Sequence, residues 1–266
     1  MMKSELITSP QNQHVQLMRS LAAQSKARRK EHAFLAEGAR LVEDGLRSGF
    51  VPRLVAYKGT LSQRACETLD FAWNVKKDTK SGFPILQIED RLFDELTDTE
   101  ASQGIMAVFD IPEAHLPEEP DFLLLLDQVR DPGNMGTVLR SAEAAGVQGV
   151  FLLPGTTDPW APKVTRSAMG SHFRLPILSW GIEALEALLM DMRVFYADMD
   201  GEVNFWQADF KAKTALLIGG EAQGASETGL KLAQNTLRIP MAGGTESLNA
   251  AVSAALLMFE VARQRQ

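Results

Sequence analysis

Cysteine is almost missing from this 266-residue chain. The single one, Cys66, can make no intramolecular disulfide, so the fold has no covalent staple and the reducing cytosol is the expected compartment. Histidine is nearly as scarce. His14, His32, His115 and His172 are scattered, with no CxxC pair and no HExxH run, and no metal site is expected. No apolar stretch approaches the roughly 18 residues of a membrane span. The best, Ala250 to Phe259, is short and runs into Glu260. The opening Met-Met-Lys-Ser-Glu-Leu lacks the apolar heart of a signal peptide. Repeats and low-complexity tracts are also absent.

The composition that is present is ordinary for a globular protein, with 45% apolar and 23% charged residues. The length suits two domains. The net charge of −7 by itself argues against nucleic-acid binding. Its distribution is uneven, however, because residues 1–40 carry seven Lys/Arg against three Glu, a local +4. Arg28, Arg29 and Lys30 form the densest part of that run, which reads either as a solvated helix face or as a phosphate-contacting patch.

Ile111 to Asp121 holds three prolines and four acids and almost nothing that could pack. It reads as a linker, dividing the chain into domain 1–112, linker 113–121 and domain 122–266. Before it, a basic helix over 12–30 and a helix over 36–48 precede short apolar stretches at 51–57, 83–88 and 105–109, with helices near 61–73 and 89–96. After it, Phe122–Leu126 is the wholly apolar run of a strand buried on both faces. Strands near 149–153, 174–178, 193–198, 214–218 and 236–240 alternate with helices near 135–145, 161–169, 182–191 and 246–263. This pattern predicts an α/β layered fold with a mainly parallel sheet. Chemistry is then expected beyond the carboxyl ends of the strands, in the loops after Leu126, Ile218 and Ile239.

Each loop has a plain reading and a functional one. In Asp127–Arg140, Pro132-Gly133 suits a type II turn, Asn134 an N-cap, and Arg140 either a catalytic cation or an i,i+3 partner of Glu143. In Leu216–Gly224, Glu221 occupies the place of a fingerprint glycine, so G-x-G-x-x-G fails. The P-loop fails too, because Ala225 stands where it needs Lys. In Ile239–Asn249, Thr245 can cap, and Ser247 and Asn249 in the first helical turn are either capping or turn residues or groups beside amides that bind an anion.

Taken together, DPGNMGTVLRSAEAAG, LLIGGEAQG and IPMAGGTESLNAAVSAALLMFE resemble the SpoU/TrmH-type branch of the SPOUT RNA 2′-O-ribose methyltransferases. KVTRSAMGSHFRLPI at 163–177 is similar to that family's stretch between its first two motifs. SPQNQHVQLMRSL, RRKEHAFLAEGARLVEDGL and ASQGIMAVF resemble its L30e/L7Ae-like substrate-binding domain.

The resemblance implies a C-terminal α/β trefoil-knot domain and an enzyme that moves a methyl from S-adenosyl-L-methionine to a ribose 2′-hydroxyl. Cofactor contacts carry over to Gly219, Ile239 and Leu248, with Leu217 and Met241 as neighbours. Catalytic positions carry over to Arg140, Asn134, Glu221, Ser247 and Asn249. The resemblance also implies a homodimer and an RNA substrate, ribosomal RNA ahead of transfer RNA. A non-catalytic RNA-binding or ribosome-assembly factor with the same fold is the alternative from another class. In one departure, Gly220 stands where the family commonly has Asn or Ser.

Overall fold

The computed structural model describes residues 6–79, 82–97, 99 and 101–266. Lys3 and Glu5 of the basic N-terminal segment lie outside them. The chain separates into two compact units, Met1–Pro112 with Asp158–Phe173, and Glu113–Thr157 with Arg174–Gln266.

The first unit is built on β1 (Leu6–Ile7), α1 (Gln13–Ala23), α2 (Ser25–Glu31), β2 (Ala33–Glu37), α3 (Ala39–Arg47), β3 (Leu54–Lys58), α4 (Gln63–Asp78), β4 (Ile85–Ile88), α5 (Asp90–Asp94) and β5 (Ile105–Asp110). Its five strands are ordered β1-β4-β3-β5-β2. Parallel pairs join β1, β4 and β3, and β5 runs antiparallel to both β3 and β2.

Two predicted helices change here. The expected helix 12–30 is two, because Gln24 leaves helical geometry at φ −127°. The expected helix 36–48 starts only at Ala39. Ala33–Glu37 is instead a wholly buried strand, and Gly38 at φ 98° turns the chain from strand into helix.

The second unit opens with β6 (Phe122–Asp127), α6 (Pro132–Ala144) and β7 (Gly149–Leu152). The chain then gives α7 (Pro162–Ser167) to the first unit. It returns with β8 (Ile177–Leu178), α8 (Ile182–Leu189), β9 (Arg193–Ala197), β10 (Val203–Asn204), β11 (Thr214–Gly219), α9 (Glu227–Leu232), β12 (Asn235–Arg238) and α10 (Ala250–Gln264). All pairings in the order β10-β12-β9-β11-β6-β7-β8 are parallel.

β6 is buried along its whole length, as its apolar run predicts. Its neighbours β11 and β7 bring the C-terminal ends of three strands together under the loops of interest. Residues 158–173, which the sequence places in the second domain, pack in the first unit. Among the described residues no helix is long and apolar enough to cross a membrane.

Candidate active site

At the carboxyl ends of β9, β11 and β12 the second unit encloses a cavity of about 560 Å3. Apolar wall is supplied by Ile218, Leu237, Ile239, Met241 and Leu248, and acidic groups by Asp198 and Glu221. Among the described residues no Lys, Arg or His lines it.

The loop after β11 is shaped by close backbone contact. Gly220 and Gly224 form an antiparallel bridge with two 3.0 Å hydrogen bonds, so the chain folds sharply over Glu221, Ala222 and Gln223. A Cβ on Gly219 would lie 2.5 Å from the amide of Ala225. One on Gly220 would lie 2.2 Å from the Gln128 carbonyl oxygen, whose own residue is held at φ 57°. Gly220 is therefore fixed by packing of two loops, which accounts for the missing polar side chain in that motif.

The same loop is pinned from below. Asp127, wholly buried at the end of β6, accepts from Ser226 N at 2.6 Å and from Ser226 Oγ at 2.8 Å through one oxygen. Its Oδ1 has no hydrogen-bond partner among the described residues. Tyr196 Oη accepts from the Ala225 amide at 3.2 Å. Burial pushes the Tyr196 phenol above its ordinary pKa. Sequence reasoning did not single out Asp127, Tyr196 or Asp198. The readable signal for Asp127 is an acid closing an otherwise apolar strand.

Three loops meet in a chain of side-chain hydrogen bonds. Asn249 Nδ2 donates to Asn134 Oδ1 at 2.9 Å, and Asn134 Nδ2 donates to Glu221 Oε1 at 2.7 Å. Arg130 N donates to Glu221 Oε2 at 3.4 Å. Burial works to raise the Glu221 pKa. The Asn134 amide and the main-chain donors around Arg130 outweigh it and hold the carboxyl below its ordinary value.

The helix starts differ from expectation. Asp131, not Asn134, caps α6, accepting from Asn134 N at 2.7 Å, and Pro132 lies in the first turn rather than in a type II turn. This frees the Asn134 side chain for Glu221. Asn249, not Thr245, caps α10, with Oδ1 accepting from Ala251 N and Val252 N.

The other expected residues are placed as follows. Gly219, Ile239, Met241, Ser247 and Leu248 line the cavity. Leu217 does not, because the strand's period of two turns it into the core and presents Ile218 instead. Arg140 is exposed on α6, and Glu143 pairs with Arg174 rather than with it. It makes no ion pair among the described residues. Helical geometry sets it roughly 9 Å beyond Asn134 along the axis, apart from the amide chain.

In the first unit, Arg28 is 5% exposed and is spent internally. It pairs with Asp158 at 2.7 Å and donates to the Leu21 and Ala22 carbonyls. Arg28 therefore cannot hold a phosphate as expected, whereas Arg29 and Lys30 are exposed.

Residues 121–259 match the profile of the SpoU rRNA Methylase family, and residues 12–107 match the MRM3-like substrate binding domain. The chain is 32% identical over 257 residues to the 23S rRNA (guanosine(2553)-2′-O)-methyltransferase RlmP of Bacillus subtilis, spanning 96% of this chain and 98% of that protein. It is 31% identical to the mitochondrial rRNA methyltransferase 3 of Homo sapiens, spanning 89% of this chain and 69% of that protein. Among solved structures, the AdoMet-bound rRNA methyltransferase of Sinorhizobium meliloti superposes with TM-score 0.83 at 29% identity, over 98% of each chain. The SpoU methyltransferase AviRb of Streptomyces viridochromogenes, in complex with the cofactor AdoMet, superposes with TM-score 0.82 at 30% identity, over 96% of this chain and 98% of that one.

Proposed function

The chain belongs to the SpoU rRNA methylase family, and from that premise we propose that it transfers a methyl group from S-adenosylmethionine to the 2′-hydroxyl of a ribose in ribosomal RNA. The observation that carries the reading is the charge of the cavity. Asp198 and Glu221 line it and no basic side chain does. Such a lining suits a ligand with a sulfonium and an ammonium and repels the phosphates of ATP or NAD. Its size falls within the range of cofactor sites.

When bound, S-adenosylmethionine supplies a methyl group on a sulfonium already activated for transfer. What remains is to place the ribose oxygen in line and stabilise its developing charge. The Asn249–Asn134–Glu221 chain fixes three loops in one register for that purpose. An arginine is always protonated and makes a poor base. Arg140, exposed and without an ion-pair partner among the described residues, clamps the phosphate beside the target ribose and stabilises the charge that develops on its oxygen as the hydroxyl proton passes to water. Ser247 lies on the cavity wall beside them and orients the ribose.

The protein acts as a homodimer in this reading. Val252, Leu256 and Phe259 are 47%, 42% and 50% exposed and recur at i, i+4 and i+7 on α10, an apolar stripe that a second copy would cover. α10 packs on α6, the helix that carries Arg140. The all-parallel second unit is read as the family's trefoil knot.

The test is transfer of labelled methyl to unmodified ribosomal RNA and, separately, to transfer RNA, followed by nucleoside digestion. Label in a 2′-O-methyl nucleoside of ribosomal RNA is the expected result. Label on a base, or only on transfer RNA, overturns the reading.

A further inference from the structure

A second concavity, of about 190 Å3, lies wholly on the first unit, where the start of α3 meets residues 158–173. Leu41 and Met169 make its apolar wall. Met169 follows the C-cap of α7 at φ 52° and is left 39% exposed, so part of its apolar side chain faces the groove.

The polar groups around it fall into two kinds. Arg166 Nη1 donates to Glu37 Oε2 at 2.6 Å, and Glu37 Oε1 accepts from Thr99 Oγ1 at 2.6 Å. Glu37 is thereby used at both oxygens, and the Arg166 guanidinium is a plane held in a fixed orientation with its charge matched. Arg40 and Gln103 are different. Arg40 is exposed in the first turn of α3 and makes no ion pair among the described residues. Gln103 Oε1 accepts from the Ala39 amide at 2.8 Å, which fixes the side chain and leaves its NH2 group without a partner among the described residues.

We propose that this groove is a subsite for one unpaired RNA base and its flanking phosphate. The base lies against Met169 and the fixed face of Arg166, Gln103 donates to an acceptor on the base edge, and Arg40 holds the phosphate. An apolar wall beside an oriented guanidinium plane, with an amide donor and a cation that have no partner among the described residues, is what an unstacked nucleotide requires. The inference rests on the reading of RNA as substrate. It gives residues 158–173 a role in substrate binding, because two of the four contacts come from them.

The test is binding of an unmodified large-subunit ribosomal RNA fragment to the full chain across a salt series. The parent, Arg40→Ala, Arg40→Lys and Met169→Ala are compared, with methyl-transfer kinetics alongside. Arg40→Ala should weaken binding several-fold at low salt and lower the slope of log affinity against log salt by about one, while Arg40→Lys keeps the slope. Met169→Ala should weaken binding by roughly tenfold with the slope unchanged, since it removes contact and not charge. Both losses should appear in KM for RNA and leave kcat and S-adenosylmethionine affinity alone. An active parent whose Arg40→Ala and Met169→Ala variants match it in affinity and slope overturns this subsite alone. A parent that binds no RNA overturns the substrate reading together with it.

Discussion

Two polar clusters in this chain are each assembled from sequence far apart, and they are finished in opposite ways. In the first unit Arg28 meets Asp158 and Arg166 meets Glu37 across 129–130 residues, each of these two cations matched by a carboxylate. In the second, the side chains of Asn134, Glu221 and Asn249 bond to one another and to main-chain amides, near solvent, and Arg140, farther along α6, makes no ion pair among the described residues. A closed cluster holds a structure together, whereas an open one keeps groups in reserve for something that arrives. Sequence alone does not separate the two, since Arg28 sits in the most basic run of the chain and Arg140 in an unremarkable helix.

The sharpest way to break this contrast is Arg140→Ala. It should lower kcat by about a thousandfold, roughly 4 kcal/mol, with S-adenosylmethionine affinity and melting temperature unchanged. Single-turnover kinetics and calorimetric titration read both, and a variant keeping most of its activity would remove Arg140 from the open cluster's task. Arg28→Ala should do the reverse. Leaving Asp158 without its partner should cost about 3 kcal/mol in urea denaturation while methyl transfer survives at low temperature. Retained stability would show that the Arg28–Asp158 pair does not hold the first unit together.

His172 gives the closed side a pH signature. It is buried, its Nε2 lies 2.6 Å from the Pro159 carbonyl oxygen, and its Nδ1 has no partner among the described residues. Burial lowers its pKa to about 4 from 6.5, against the opposing pull of the Pro159 carbonyl and Asp158. The neutral ring is the folded form, and the unfolded chain takes up a proton first as the pH drops. Its contribution to stability is thus whole above pH 6.5 and is lost as pH falls toward about 4. Denaturation curves should show about 2 kcal/mol of loss between pH 6.5 and roughly pH 5, and His172→Phe should flatten that dependence.

Smaller effects refine the open side. Glu221→Gln keeps an oxygen for Asn134 Nδ2 but turns an NH2 toward the Arg130 amide, and should lower kcat/KM by about tenfold without unfolding the protein. Pairing Arg29→Ala with Lys30→Ala should change stability by less than about 0.5 kcal/mol, both side chains being exposed. If they meet phosphate, only the salt slope of RNA binding will register the change.

Much of the second unit was legible because parallel strands buried on both faces announce themselves, Phe122–Leu126 above all. The loops were found for the same reason, since strand ends locate them. The local details were less readable. Asn134 and Asp131 are both good caps, and only the structure shows that Asp131 takes the task and releases Asn134 to Glu221. Leu217 and Ile218 are equally apolar, and only the pleat decides which faces the cavity. The strand Ala33–Glu37 was missed because its alanines fit the helical spacing of the segment that follows. The fate of Arg28 depends on Asp158, 130 residues away, and no local pattern carries that.

The assignment of residues 158–173 to the first unit bears on how such proteins diversify. Phe34 stacks with Trp160, His172 and Phe173, all from that insert. A recombination event that exchanged only the first 112 residues would strand those rings beside a stranger's surface. Replacing the first unit intact therefore requires two separate stretches of this sequence. A segment lying between catalytic motifs should accordingly vary in step with the N-terminal half rather than with its neighbours.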